Sequence, residues 1–442
     1  MKSFGFVSPA AASHMLHRRW LLSVMAFAVF AALLTPTCSW AGWDDPDIVY
    51  IESNLSSGNS ILAFRNDGSG NLSFIGSTPA GGKGVYDPTF STPPRSGTND
   101  TDQPIQISSD RRLLFAVNSG SNSVAVFHIH SDGSLQAVLD SPFPSGGSQP
   151  VSVGLKRDVV VVANKDQDPR QNPFLVMPNY TSFHLDDDGK LTPIPDSTVS
   201  VAYNSSPGQA LAASLGDLFF GADTLGALLH SFRIDEDGRL RENPPIAAPN
   251  SVYGGLPVPH FIIGLQTHPT LPILYVGFTL AHKLGVYRYT VGRGRGQEGG
   301  DDREEGDQKP GGTLSFVRPA ENSGAGICWI MVNRAGTRIY TVNTFDSSVS
   351  VYDSTDPWNP AEVQHLRLVN NLGGVGVLAL DRSEQFLYVL AQRLETFSQP
   401  FSNGIHVLKV GADGTLTEVA GSPTPVGPFI NGDTTVQGIA VY

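Results

Sequence analysis

A short phrase recurs along this chain: an apolar stretch, a polar turn, and a second apolar stretch that often ends in a polar residue. Its clearest copies are IQISSDRRLLFAVN (105–118), LQTHPTLPILYV (265–276), IMVNRAGTRIYTVN (330–343) and LALDRSEQFLYVL (378–390). Alternating apolar residues on both sides of turn formers predict two antiparallel strands. Because the unit repeats, we expect stacked copies of one motif rather than a single unique core.

Each copy extends into two further strands. A third strand follows the second, as in Ser123–Phe127 and Ser348–Tyr352, and an Asp-Gly turn such as Asp132-Gly133 leads to a fourth. Asp-Gly suits the left-handed backbone conformations of a tight hairpin. Four-stranded antiparallel units repeated at this spacing are typical of propeller blades.

The number of blades follows from the opening strands. Six openings can be aligned, at 103–107, 149–153, 207–211, 262–265, 327–330 and 375–378. Residues 47–74 contain a second, third and fourth strand without a first, and TVQGIAVY at 435–442 supplies an opening strand with nothing after it. The sequence therefore predicts an all-β, seven-bladed propeller over residues 42–442. Its C-terminal strand would complete the N-terminal blade and remove the exposed sheet edge.

The first 41 residues have the pattern of an export signal. Arg18 and Arg19 precede an apolar run at 20–34, and Ser39-Trp40-Ala41 places small residues where a signal peptidase cleaves. The apolar run is short for a membrane span. We expect cleavage after Ala41 and a periplasmic or extracellular protein with no stable membrane span, by either the Sec or the twin-arginine route.

Composition restricts the partners of the mature chain. The sequence has 29 basic and 41 acidic residues, and residues 1–41 contain three basic and no acidic ones, so the mature charge is 26 − 41 = −15. A charge of this sign disfavours nucleic acid and anionic membranes as partners. Cys38 leaves with the signal, so Cys328 has no intrachain disulfide partner.

One insertion has a composition that cannot bury a core. Residues 292–312 read GRGRGQEGGDDREEGDQKPGG and interrupt a hairpin. Such a glycine-rich, charged segment predicts a disordered surface loop.

The blade phrase, the Asp-Gly hairpins and HPTLPILYV at 268–276 resemble the seven-bladed propellers of the lactonase family. That family includes 6-phosphogluconolactonase-type enzymes and carboxymuconate cyclases, and the resemblance covers nearly the whole mature chain. It implies a site of Arg, His and Glu around the central channel, without metal or cofactor. Arg would hold a carboxylate or phosphate while His or Glu moves the proton as a ring opens or closes.

The family's catalytic positions carry other residues here. In two successive blades they fall on Ile263, Gly264 and Thr279, and on Cys328, Trp329 and Thr344. In an earlier blade the expected His is replaced by Gly208-Gln209. The resemblance therefore implies the fold, with the Arg/His/Glu set not retained.

Candidate site residues lie where opening strands begin and second strands end, because these points converge at one mouth of a propeller channel. The opening strands supply Gln103, Gln149, Gln209, His260, Trp329 and Gln437, and the second-strand ends supply Glu52, Asn118, Asn164, Asp223 and Asn343. Amides and carboxylates bind hydroxyl groups, and Trp329 offers a face to a sugar or aromatic ring. The alternative roles are turn capping for the asparagines and core packing for Trp329.

Two functions remain open. A non-catalytic binding or scaffold propeller, with a lactone, sugar-like molecule or protein as its partner, predicts a neutral, amide-lined mouth. A lactone hydrolase or cycloisomerase with a rearranged site predicts clustered ionisable groups, with Asp223 and His260 as the catalytic pair and Glu52 and Asp102 nearby. No cofactor and no metal are predicted, because His128 and His130 share a strand face without a third ligand.

Overall fold

A computed structural model describes residues 47–85, 103–168, 176–203, 205–255, 261–292, 310–369, 374–392, 403–430 and 434–442, together with Met1 and Gly5. Backbone contacts separate residues 1–45 from residues 46–442 as two compact units, and every described strand belongs to the second. The predicted signal segment and the predicted domain start at residue 42 lie outside the described residues, apart from Met1 and Gly5. Within the described part of the chain, no helix is long and apolar enough to cross a membrane.

Seven antiparallel sheets form the propeller, and the predicted architecture is confirmed. We number the blades from the N-terminus and call the strands of each blade inner, second, third and outer. Blade 1 has second, third and outer strands Ile48–Glu52, Ser60–Asn66 and Leu72–Pro79, with Gln437–Val441 as its inner strand. Blades 2 to 4 are Ile105–Ile107, Leu113–Asn118, Ser123–Ile129 and Leu135–Ala137; Pro150–Lys156, Val159–Asn164, Asn179–Leu185 and Leu191–Ser200; and Leu211–Ala212, Leu218–Asp223, Leu228–Ile234 and Leu240–Glu242.

The remaining blades have the same strand order. Blades 5 to 7 are Ile262–Thr267, Ile273–Phe278, Lys283–Tyr289 and Leu314–Glu321; Ile327–Val332, Arg338–Asn343, Ser348–Asp353 and Ala361–Arg367; and Gly374–Leu380, Phe386–Gln392, Gly404–Val410 and Leu416–Glu418. Phe143–Pro144, Ile246–Ala247 and Thr424–Pro425 add a short fifth strand to blades 2, 4 and 7. The helical elements of the described residues are three 3₁₀ turns, Asn250–Tyr253, Thr279–Ala281 and Gly427–Phe429.

The ring closes where the two ends of the propeller chain pair. Ile48 and Tyr442 exchange two backbone hydrogen bonds, each of 2.8 Å. The pairing continues from Val49 opposite Val441 to Glu52 opposite Gln437, with one register shift. The closing strand therefore covers the edge that the second strand of blade 1 would otherwise expose.

Second strands are buried on both faces because each blade packs between two neighbours. LLFAVN at 113–118 and VVVVAN at 159–164 are buried at every position. In blades 5 and 6, the turn before the second strand is held by the residue that directly follows the inner strand. Asn333 Oδ1 accepts the N–H groups of Thr337 and Arg338 at 2.8 and 2.9 Å, and His268 Nδ1 accepts those of Thr270 and Leu271 at 3.2 and 3.1 Å.

The Asp-Gly turns differ in one respect from the expectation. Gly133 has a φ of 83°, but Asp132 is not among the residues with positive φ. The aspartate acts instead as a cap, since its Oδ1 accepts the Ser134 N–H at 2.9 Å. Glycine is needed at this position for a second reason: a Cβ on Gly133 would lie 2.7 Å from Ile48 of blade 1.

Buried tyrosines join neighbouring blades at the turns between third and outer strands. The Tyr50 hydroxyl of blade 1 donates to the Gly133 carbonyl of blade 2 at 2.6 Å, and Tyr340 of blade 6 donates to Gly414 of blade 7 at 3.1 Å. Tyr275 of blade 5 donates to Pro357 of blade 6 at 2.9 Å. The same second-strand position thus carries a polar contact as well as apolar packing between blades.

The predicted disordered loop lies almost wholly outside the described residues, which resume at Pro310. At its base, the Thr290 N–H donates to the Thr313 carbonyl at 3.1 Å. The insertion therefore starts and ends on a closed hairpin, and its disorder stays a prediction.

Candidate functional site

The inner strands enclose a central cavity of about 190 Å³, which we call the channel cavity. It is lined by Gln103–Ile107, Gln209, Gln266, Trp329–Met331, Val377–Ala379 and Ile439–Val441. This lining contains amides, one indole and aliphatic groups, and none of its side chains is ionisable. Among the described residues, the channel cavity has the neutral, amide-lined character predicted for a binding propeller.

A second cavity, of about 510 Å³, opens on the face that carries the turns between inner and second strands. We call it the vestibule. Its walls come from blades 2, 3 and 4, with Gln266 of blade 5, and include Ser108–Asp110, Leu155 and Leu211–Ala212. The vestibule and the channel cavity share four lining residues: Gln103, Gln106, Ile107 and Gln266. The two spaces therefore meet at a group of glutamine side chains.

Among the shared residues, Gln106 and Gln266 have side-chain amide groups that are not fully used in hydrogen bonds to described residues. The Gln106 side chain makes no hydrogen bond to a described residue, and Gln266 uses only its Oε1, which accepts the Thr267 N–H at 2.9 Å. Both are partly exposed at the junction of the two cavities. An amide supplies both a donor and an acceptor, so this pair can hold a hydroxyl group of a small ligand.

Some of the predicted opening-strand residues line the channel cavity, and the others are buried in the strands and loops around it. Gln103, Gln209 and Trp329 line the channel cavity, and Trp329 is also packed in the apolar core. The Gln209 amide is largely committed, because it exchanges hydrogen bonds of 3.0 and 2.7 Å with the Leu265 backbone. Gln437 is buried in the closing strand. Gln149 is fully buried, and its Oε1 accepts the Gln167 N–H at 2.5 Å.

The predicted asparagines are fully buried at the ends of second strands and hold the loop that arrives from the preceding blade. Asn118 donates to the Ala80 carbonyl at 3.0 Å, and Asn164 donates to that of Ser145 at 3.1 Å. Asn343 accepts from the Asn322 amide at 2.9 Å. Each packs against a loop glycine, Gly82, Gly147 or Gly324. A Cβ added to that glycine would lie 2.1–2.6 Å from the asparagine side chain. These contacts are the turn-capping arrangement, and none of the three asparagines lines either cavity.

Asp223 occupies the same position in blade 4. Its Oδ1 accepts the N–H groups of Ser206 and Gly226 at 2.7 and 2.9 Å, while its Oδ2 is buried without a hydrogen-bond partner among the described residues. The carboxylate thus caps two loops and lies outside both cavity linings. His260, its predicted catalytic partner, and Asp102 lie outside the described residues, so the pairing stays a prediction.

Glu52 is fully buried between blades 1 and 2. Its Oε1 accepts the Val117 N–H at 3.1 Å, and its Oε2 has no partner in the described part of the chain. Burial raises the pKa of the Glu52 carboxyl well above its usual value of 4.5, and hydrogen bonds from Val117 and Asn59 oppose that shift. Glu52 does not line the channel cavity or the vestibule.

Other chemistry-bearing groups are placed away from the channel. His230 and His406 each lie 2.6 Å, from Nδ1 to Oε1, from an outer-strand glutamate, Glu242 in blade 4 and Glu418 in blade 7. These buried pairs hold third and outer strands together. Cys328 is buried and accepts a contact from the Thr344 hydroxyl at 3.1 Å. His128 is partly exposed and His130 exposed, and the described residues contain no group of three His, Cys, Asp or Glu suited to a metal.

Sequence reasoning missed Gln106 and Gln266. Both follow an apolar residue in an opening strand, in IQI at 105–107 and LQT at 265–267, and this shared position was the available signal. It also missed Lys165, Asp166 and Asp168, which are buried beyond the second strand of blade 3. Their only sequence signal is a charged run, which more often indicates a solvated loop.

Similar proteins were found by structure only. No protein-family model matches the chain, and no curated protein is significantly similar to it in sequence. A candidate 6-phosphogluconolactonase from Bacteroides uniformis superposes with a TM-score of 0.61 at 14% identity, covering 90% of this chain and 100% of its own. A candidate 6-phosphogluconolactonase from Bacteroides fragilis gives 0.60 at 17%, with 91% and 99% covered.

The periplasmic gluconolactonase of Pseudomonas aeruginosa is a further structural neighbour, with a TM-score of 0.58 at 16% identity and coverage of 86% of this chain and 97% of its own. Identities this low establish the fold and leave the chemistry to the residues of each protein. The chain thus shares its propeller fold with these solved structures.

Proposed function

We propose that this chain is an exported propeller that binds a small, uncharged, hydroxylated ligand at Gln106 and Gln266, without lactone-opening chemistry of its own. The observation that carries the proposal is the lining of the channel cavity, where amides and Trp329 face the space and no ionisable side chain does. An acid or base must reach the proton it moves, within hydrogen-bond distance or through one water. Glu52 and Asp223 are buried in the walls instead.

The ligand class is inferred from size and polarity. Amide groups beside apolar and aromatic surface are the arrangement that binds hydroxyl-bearing rings. The name of one structural neighbour, a gluconolactonase, points to an uncharged sugar lactone, whereas the names of the two candidate 6-phosphogluconolactonases point to a phosphorylated one. Sugars and sugar lactones are therefore the compounds to test first.

The test uses the mature chain, residues 42–442, in calorimetric titrations with glucose, galactose, mannose and gluconolactone. We expect at least one to bind, and Gln106→Leu to weaken that binding about tenfold, as loss of one amide contact predicts. Gln136→Leu is the matched control, because Gln136 is exposed on the outer strand of the same blade.

Two results would contradict the proposal. Gluconolactone opening above the spontaneous rate that is abolished by Asp223→Asn would make the chain an enzyme. Equal binding by wild type and Gln106→Leu would remove the channel amides as the site.

A further inference from the structure

We propose that the ligand reaches the channel amides through the vestibule, and that the charged rim of the vestibule selects uncharged sugars over phosphorylated ones. This inference rests on the proposed function and adds an access route and a substrate class to it. The ligand would then enter at the end of the channel opposite the mouth where the sequence predicts the site. That mouth lies where inner strands begin.

The sizes of the two cavities favour entry through the vestibule. The vestibule is the larger, about 510 Å³ against 190 Å³, and Gln106 and Gln266 belong to both linings. A space of this size lies within the usual range for small-molecule sites. The free amides therefore form the floor of the vestibule as well as part of the channel wall.

A pair of side chains joins blades 2 and 4 inside the channel. There the Gln209 amide of blade 4 donates to the side-chain carbonyl oxygen of Gln103 of blade 2 at 3.3 Å. Blade 3 lies between these blades, so the contact crosses in front of its inner strand. Gln103 lines both cavities and Gln209 lines the channel cavity, so this joined pair forms part of the channel wall.

The rim of the vestibule has a net negative charge. Its ionisable residues are Asp110, Asp158, Asp186, Asp187, Arg112 and Arg157. Their formal charge is 2 − 4 = −2. A phosphate group with up to two negative charges meets net repulsion at this rim, whereas a neutral sugar meets carboxylates and amides that accept and donate hydrogen bonds.

Neither arginine is available to offset that repulsion. Arg112 donates to the Asp187 backbone carbonyl at 2.9 Å and has its Nε 3.4 Å from the Asp110 carboxylate. Arg157 forms an ion pair with Asp217. The Asp187 carboxylate itself is exposed and makes no hydrogen bond to a described residue. The vestibule therefore presents more free negative than free positive charge.

The access route is tested by blocking the vestibule. Ala212 is a partly exposed residue of its wall, and Ala212→Trp fills the space in front of it. Leu225→Trp is the control, because Leu225 is 44% exposed in the turn at the opposite end of the same blade. Calorimetry with glucose, galactose and mannose should show at least a tenfold loss for Ala212→Trp and no change for Leu225→Trp. Ser109→Trp, in an exposed turn of the vestibule wall, repeats the test if Ala212→Trp does not fold.

The charge selection is tested by titrating each sugar beside its 6-phosphate. Wild type should bind the neutral sugar more tightly. Asp187→Lys changes the rim from −2 to 3 − 3 = 0 and should improve phosphate-sugar binding about threefold or more while leaving the neutral sugar unaffected.

Two results would overturn this inference while the proposed function stands: Ala212→Trp or Ser109→Trp that binds like wild type, or a wild type that prefers the 6-phosphates. If instead no sugar binds to wild type, the proposed function itself fails, and the access route fails with it.

Discussion

A carboxyl group buried away from solvent is costly to ionise, and Glu52 is such a group at the boundary of blades 1 and 2. Its raised pKa means that the folded state holds a proton which the unfolded state releases above about pH 4.5. The favourable contribution of protonated Glu52 is therefore fully present below that pH. It is lost progressively as the pH rises towards the folded-state pKa.

We expect Glu52→Gln, which keeps the shape and removes the titration, to flatten this dependence. Between pH 5 and the folded-state pKa, the free energy of unfolding of wild type should fall relative to the variant, by at most about 1.4 kcal/mol per pH unit. Urea unfolding of both proteins at pH 5, 6, 7 and 8 measures the difference. Parallel curves for the two proteins would show that Glu52 ionises normally in the folded state.

Other single residues explain why the channel mouth was difficult to predict. An asparagine at the end of a strand gives the same sequence pattern whether its side chain caps a loop or contacts a ligand. Asn118 and Asn164 became identifiable as caps only through their bonds to Ala80 and Ser145 and the loop glycines against them. Gln106, by contrast, has no such partner among the described residues, and its free amide is visible only once its neighbours are placed.

At the scale of the strand, the repeated phrase produces contacts between blades as well as within them. The aromatic residue in the middle of the second strand is Tyr50, Tyr275, Tyr340 or Tyr388 in four blades, and each hydroxyl reaches the following blade. Blade 7 closes on blade 1 in the same way, through Tyr388 and Asp47 at 3.0 Å. A side chain that repeats in sequence thus repeats as an inter-blade contact.

We expect Tyr340→Phe to lower the free energy of unfolding by about 1 kcal/mol, because it leaves the Gly414 carbonyl without its donor. Tyr287→Phe is the matched control, since the buried Tyr287 hydroxyl has no partner among the described residues. Removing that hydroxyl should be neutral or slightly stabilising. Denaturant unfolding of the two variants decides the point, and equal losses would mean that the Tyr340 contact contributes nothing specific.

At the scale of the molecule, stability depends on closing the ring. Residues 437–441 contribute the inner strand of blade 1, and without them the edge of Ile48–Glu52 would be free to pair with another chain. A chain ending before Gln437 should therefore lose cooperative unfolding and aggregate. Thermal melts and size-exclusion chromatography measure both effects.

The control for that deletion is a circular permutant. Ile48 and Tyr442 are hydrogen-bonded neighbours, so a short linker can join the two ends of the propeller while new ends are opened within 293–309. This permutant keeps every described strand pair and should melt within a few degrees of wild type. A deletion variant that melts like wild type would show that closure is dispensable.

The sequence by itself determined the architecture: seven blades, the strand order within each, and the C-terminal strand that completes the first. It could do so because apolar periodicity and turn residues are local, and the same local pattern occurs again and again. Only the tertiary structure decided which polar residues face the channel. That property depends on where inner strands from distant parts of the chain converge, so Gln106 and Gln266 meet at one cavity although 160 positions separate them (266 − 106). Asp223, predicted to act there, is instead buried in the wall, because the backbone of its own loops provides the hydrogen bonds that its carboxylate requires.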